Sequence, residues 1–120
     1  MRLIRSAALL AALATIPLAA PGALAHHGWG SYDSSKVLSM AGPIVEASYQ
    51  YPHAHLVIEH EGERWEVVLA PPSRMQQRGI AADDLKPGVA VTVEGYPSKV
   101  KPHEMRAERI TLDGRTVELR

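Results

Sequence analysis

The sequence predicts a small all-β barrel that carries one short helix and is preceded by an N-terminal arm. Three observations point there. From Lys36 onward the chain is a succession of short segments rich in Val, Ile and Thr with alternating apolar and polar residues, the period-two signature of strands packed on one face. One helix-like stretch, Pro71 to Arg78, falls between the third and fourth of those segments. The chain of 120 residues has no cysteine, so no disulfide holds it, and a sheet this small protects its edges best by closing on itself.

Residues 1–25 differ from everything that follows. Arg2 and Arg5 give a short basic start, Ala7 to Ala20 is apolar apart from Thr15, Pro21-Gly22 breaks the run, and Ala23-Leu24-Ala25 places small residues where a signal peptidase needs them. We read residues 1–25 as a signal peptide cleaved after Ala25. The apolar run is short for a membrane span, which takes about 20 residues, so no stable membrane anchor is expected after processing. Two of the 13 basic residues and none of the 13 acidic ones fall in this segment, so residues 26–120 carry a net charge of −2. One core and one domain are expected at that size.

Residues 26–36 form an arm rich in His, Gly and Ser. Cleavage after Ala25 makes His26 the first residue, and a first-position histidine offers both its α-amino nitrogen and its imidazole to one metal ion. Such nitrogen donors suit Cu(II), Ni(II) and Zn(II), with copper highest in the affinity order. A polar terminus is ordinarily disordered, and Gly28 and Gly30 favour that here. Trp29 and Tyr32 speak against it, because aromatic rings in a tail are costly unless they pack.

The barrel domain is expected over residues 37–120. Val37 to Ala41 and Ile44 to Tyr49 flank Gly42-Pro43, which reads as one long strand with a bulge or bend at that dipeptide. His55 to His60 alternates, with Leu56 and Ile58 on one face and His55, Val57 and Glu59 on the other. Glu61-Gly62-Glu63 is a turn, and Trp65 to Leu69 runs back to complete a hairpin. Pro71-Pro72-Ser73 starts a short helix, Pro pre-setting φ in its first turn, and Gly79 is its C-terminal cap. Val89 to Tyr96 is the clearest alternating strand. Met105 to Leu112 follows, Asp113-Gly114 is a two-residue hairpin signal, and Arg115 to Leu119 returns. Trp65, Val67, Leu69, Val89, Val91, Val93, Ile110, Leu56 and Ile58 are the expected core. A helix between strands three and four is the layout of the five-stranded Greek-key barrel called the OB-fold.

Six histidines, His26, His27, His53, His55, His60 and His103, all follow residue 25. His53 and His55 are two positions apart, so on a strand they share a face and reach one metal ion together. His26, His27, His53 and His55 are therefore the candidate metal ligands, with copper the implied ion. His60 has the opposite parity, and His103 follows Pro102 in a loop. Met40, Met75 and Met105 offer thioether sulfur, but core filling explains them better.

Several stretches together resemble a known family. They are Ala25-His26-His27-Gly28-Trp29-Gly30-Ser31-Tyr32-Asp33, then Tyr51-Pro52-His53-Ala54, then Trp65 to Met75, Val91 to Pro97, and Glu104 to Ile110. The family is one of small proteobacterial exported proteins of unknown function, and the resemblance spans essentially all of residues 26–120. It implies a periplasmic OB-like barrel. It supplies no activity and no catalytic residue, and it does not call for a histidine at position 55.

Two function classes fit poorly. Lys99, Lys101, Arg106 and Arg109 form a local basic cluster, but a net charge of −2 argues against nucleic acid. Ser31, Ser34, Ser39 and Ser73 lie in no nucleophile motif and no Gly-rich phosphate loop follows a strand, so no enzyme is expected. The reading is a periplasmic binding protein that takes a copper-type ion. The alternative is a metal-independent interaction module for a protein, peptide or cell-envelope partner, using the Tyr-bearing barrel face.

Overall fold

The computed structural model describes residues 28–120. The expected signal peptide and the two arm histidines His26 and His27 lie outside the described residues. Six strands and one helix follow the chain order β1 Leu38–Ser48, β2 His55–His60, β3 Glu63–Val68, α1 Pro72–Gln77, β4 Ala90–Pro97, β5 Glu104–Leu112 and β6 Arg115–Glu118.

Strand β1 is long enough to serve two neighbours. Leu38 to Pro43 pair with β4, and Ile44 to Ser48 pair with β2, both antiparallel. The irregularity lies between Ile44 and Glu46, one step beyond the expected Gly42-Pro43. Gly42 has a different task. A Cβ there would overlap the carbonyl oxygen of Glu59, so its bare backbone lets the end of β2 approach β1.

Strands β2 and β3 form the expected hairpin, and Glu61 and Gly62 both take positive φ, 51° and 78°, as a two-residue turn of this hand requires. Asp113 and Gly114 do the same between β5 and β6, at 50° and 72°. The sheet order is β3-β2-β1-β4-β5-β6, and β3 also pairs with β5 in parallel. That last pairing closes the first five strands into a barrel. The fold is the OB-like barrel with one short helix that the sequence pattern indicates.

The core is built from alternating residues of every barrel strand: Met40 and Ile44, Leu56 and Ile58, Val67, Val91 and Val93, Met105 and Ile110. Helix α1 adds Met75, and the segment after it adds Ile80 and Leu85. Asp84 accepts a hydrogen bond from the Ala81 N–H through Oδ2, 2.8 Å, capping a 3-10 turn at Ala82–Asp84. The Tyr49 hydroxyl donates to the Ile80 carbonyl at 2.6 Å, fastening the end of β1 to the helical segment. Trp65 and Val89 are only partly buried against this core. Trp65 lies near the turn end of β3, where its ring meets His103 edge-on, centroids 5.1 Å apart, rather than being enclosed. No helix among the described residues is long and apolar enough to cross a membrane.

Candidate metal centre at the barrel seam

The described part of the arm is packed, not loose. Trp29–Ser31 make one 3-10 turn, closed by the Tyr32 N–H donating to the Trp29 carbonyl at 3.1 Å. The Asp33 N–H then donates to the Pro97 carbonyl at 2.9 Å and the Lys99 N–H to the Ser31 carbonyl at 3.0 Å, so the arm rides on the chain leaving β4. Asp33 fixes the next bend by accepting from the Ser35 N–H and hydroxyl, which hold its carboxyl below the usual range.

The aromatic residues explain the anchorage. Two guanidiniums lie over the Trp29 ring, with Arg106 Cζ 4.3 Å and Arg120 Cζ 4.5 Å from its centroid. Tyr96 meets it edge-on at 6.1 Å. Each cation–π contact of this kind contributes about 0.5–2 kcal/mol, more as water is excluded. Tyr32 is 3% exposed, and its hydroxyl lies 3.5 Å from Glu104 Oε2. Burial first, then the Glu104 carboxylate, push the Tyr32 phenol up to about 12.

Beneath the arm runs the seam where β3 meets β5, with Glu66 opposite Glu104, Val67 opposite Met105 and Val68 opposite Arg106. The alternation that turns Val67 and Met105 inward turns Glu66, Glu104 and Arg106 outward, under the arm. Glu104 and Arg106 are consequently 9% and 8% exposed. Burial above all lowers the Arg106 guanidinium pKa, yet an arginine keeps its charge.

A pocket of about 220 Å³ opens along this seam, lined by Tyr32, Pro52, His53, His55, Glu66, Val68, Lys101 and Glu104. Both candidate strand histidines therefore face one cavity. They arrive differently from expectation: His55 opens β2, whereas His53 precedes it in the loop. His55 Nδ1 is 3.5 Å from Glu66 Oε1, and both residues also line a neighbouring cleft of about 300 Å³ with Glu46 and Ser48. His53 Nε2 is 3.4 Å from an Arg106 terminal nitrogen. Among the described residues no three His, Cys, Asp or Glu side chains come together as a metal-holding group. The other two expected ligands, His26 and His27, lie outside the described residues.

The other histidines stand apart. His60 Nδ1 is 2.8 Å from the Ala41 carbonyl and ties the hairpin end to β1. His103 Nε2 pairs with Glu63 Oε2 at 2.9 Å. The basic cluster dissolves as well: Arg106 is buried, and Arg109 pairs with Glu94 at 2.9 Å and Glu118 at 3.0 Å. Sequence reasoning missed Tyr32, Glu66, Glu104 and Arg106 as site residues. Glu66 was within reach, because the β2–β3 register puts it on the face of His55. Nothing local marks Glu104 and Arg106.

Comparison with known proteins adds a family and a fold. A family model described as a family of unknown function, DUF6152, matches residues 13–106. No curated protein matches the chain. The barrel is similar to a chain of the S. pombe Stn1–Ten1 complex, with 18% identity and a TM-score of 0.52, covering 63% of this chain and 57% of that one. It is also similar to TiaS in a complex with tRNA and ATP, with 17% identity, a TM-score of 0.51, and coverage of 68% and 19%. The ZRD-deleted mutant of TiaS in complex with agmatine is similar as well, with 16% identity, a TM-score of 0.53, and coverage of 72% and 27%. This chain thus spans less than two thirds of each of those chains, and the likeness shows the barrel fold alone.

Proposed function

The chain belongs to that family of unknown function, and from this premise we propose that it is an exported metal-binding module, delivered to the periplasm by a cleaved signal peptide. Its ion is of the copper type, taken by His26 and His27 of the mature N-terminus together with His53 and His55. The observation that carries this reading is the shared pocket: His53 and His55 line one cavity, and Tyr32 of the anchored arm lines it too.

Chain reach supports the assembly. An extended chain advances about 3.3–3.6 Å per residue, so the three steps from Trp29 back to His26 span roughly 10 Å. Trp29 is itself only one guanidinium away from His53. The chemistry of the half-site also suits a metal. Glu66 beside His55 Nδ1 favours the proton on that nitrogen and leaves Nε2 as the donor, the usual arrangement of a carboxylate behind a metal-binding imidazole. We assign the module no reaction. Nucleic acid is not among its proposed ligands, since residues 26–120 are net negative.

One observation favours the metal-independent alternative. Tyr51 and Val100 are 70% and 81% exposed, and they sit on the two loops that contribute Pro52, His53 and Lys101 to the pocket wall. A protein, peptide or cell-envelope partner would find apolar contacts there.

Calorimetric Cu(II) titration of three forms separates the readings: the chain starting at His26, a chain extended before His26, and His53→Ala. The processed form binds tightest, and binding weakens from about pH 7 to about pH 5 as imidazoles protonate. Equal affinity of processed and extended forms removes the N-terminal amine from the site. Binding no tighter than about micromolar in every form hands the function to the interaction module.

A further inference from the structure

Resting on that metal reading, we infer that Arg106 gates the site: it holds the Nε2 lone pair of His53, and a metal ion gains His53 only by displacing it. A guanidinium donates hydrogen bonds and accepts none. The 3.4 Å contact between the Arg106 terminal nitrogen and His53 Nε2 therefore needs an unprotonated Nε2, which places the proton of a neutral His53 on Nδ1. The lone pair that meets Arg106 is the one a metal would take.

Arg106 is no swinging surface side chain. Its backbone is registered against Val68 on β3 and Tyr96 on β4. Its guanidinium is covered by the Trp29 ring, and the residue is 8% exposed. The competing cation is therefore restrained, and moving it costs its contact with Trp29. A divalent ion on Nε2 would occupy the place of that guanidinium nitrogen, and even with the guanidinium pushed aside to about 5 Å, repulsion of a dication by a single charge weakens binding about tenfold at the dielectric of water. His55 has the opposite company, a carboxylate at 3.5 Å. The two pocket histidines thus play unequal parts. His55 is open to the ion, and His53 joins only when Arg106 yields. Because the same guanidinium stacks on Trp29, its release also loosens the arm.

The test uses the processed chain titrated with Cu(II) chloride, in wild type and as Arg106→Met, Arg106→Gln, Arg106→Lys and the Arg106→Met/His53→Ala pair. The two charge-free variants should bind about tenfold tighter. Arg106→Lys should stay near wild type, and the gain should vanish in the double variant. Nitrogen NMR of His53 without metal gives an independent readout, with Nδ1 protonated and Nε2 bare in wild type and that preference lost in Arg106→Gln. Unchanged or weaker binding in both charge-free variants overturns the gate, as does a gain that survives His53→Ala or a wild-type proton on Nε2. Absence of copper binding in every form, with the NMR signature intact, rejects the metal reading itself and the gate with it.

Discussion

Replacing Gly95 by alanine should cost more stability than any apolar truncation of comparable size. Gly95 sits where β4 and β5 slip register, opposite Ala107, with Glu94 opposite Arg109. A Cβ built there overlaps the Arg106 carbonyl oxygen and comes within 2.7 Å of its carbon and 2.8 Å of the Ala107 Cα. Ordinary contact begins at 3.4 Å. All three atoms are backbone, so no rotamer change relieves the overlap, and the strands must part. The pairs Gly95–Ala107, Tyr96–Arg106 and Pro97–Met105 go with them. Overpacking relieved by side-chain movement costs about 1–3 kcal/mol, and a backbone clash lies at or above that limit, about 3 kcal/mol or more. For a domain of this size that lowers the melting temperature by about 12–24 °C. Urea denaturation of Gly95→Ala beside Gly28→Ala measures it, because a Cβ at Gly28 meets nothing within 4 Å. Matching midpoints for the two variants would refute the close approach of β4 and β5.

Two further outcomes follow from burial. Val91→Ala should destabilise by about 1–3 kcal/mol, while Thr92→Ala, on the other face of β4, should change stability by about 0.5 kcal/mol or less; equal denaturation midpoints would reverse the strand parity. Tyr32 should make the fold alkali-sensitive. Its folded pKa is raised from 10.0 to about 12, so the stabilisation of the neutral phenol is complete below pH 10 and is lost as pH rises toward 12, a change of about 2 kcal/mol. Tyr32→Phe should flatten that part of the stability curve, and an unaltered profile would mean the phenol ionises normally.

Local chemistry made much of this fold legible. The Asp113-Gly114 turn, the parity of Leu56 and Ile58 in β2, and the helix opened by Pro72 and followed by Gly79 all express backbone and packing rules that act within a few residues. The helix between the third and fourth strands indicated a closed barrel, but not which residues its seam would bury. Glu104-Met105-Arg106-Ala107 reads as a half-exposed strand, yet all four residues are buried. Two face the core, and the other two lie under the arm. Only the parallel pairing of β3 with β5 and the seating of Trp29 put them there, and neither leaves a periodic trace. The expectation that His53 and His55 share one strand face differs from the structure. His53 and His55 share a pocket, but His53 reaches it from the loop before β2 and meets an arginine that no spacing rule could place.

The seam where β3 meets β5 also sets the order of events as the chain folds. The hairpins β2–β3 and β5–β6 join near neighbours and close at small entropic cost, whereas joining Glu66 to Glu104 closes a loop of roughly 40 residues and comes late. Glu66, Glu104 and Arg106 are themselves seam residues, and His53 and His55 find their polar neighbours there. A folding chain would thus possess its histidines before it possesses the seam pocket. Ions captured by such an unfinished chain would be held by flexible imidazoles with no selecting geometry. The cavity is, in that sense, a certificate that β5 has docked.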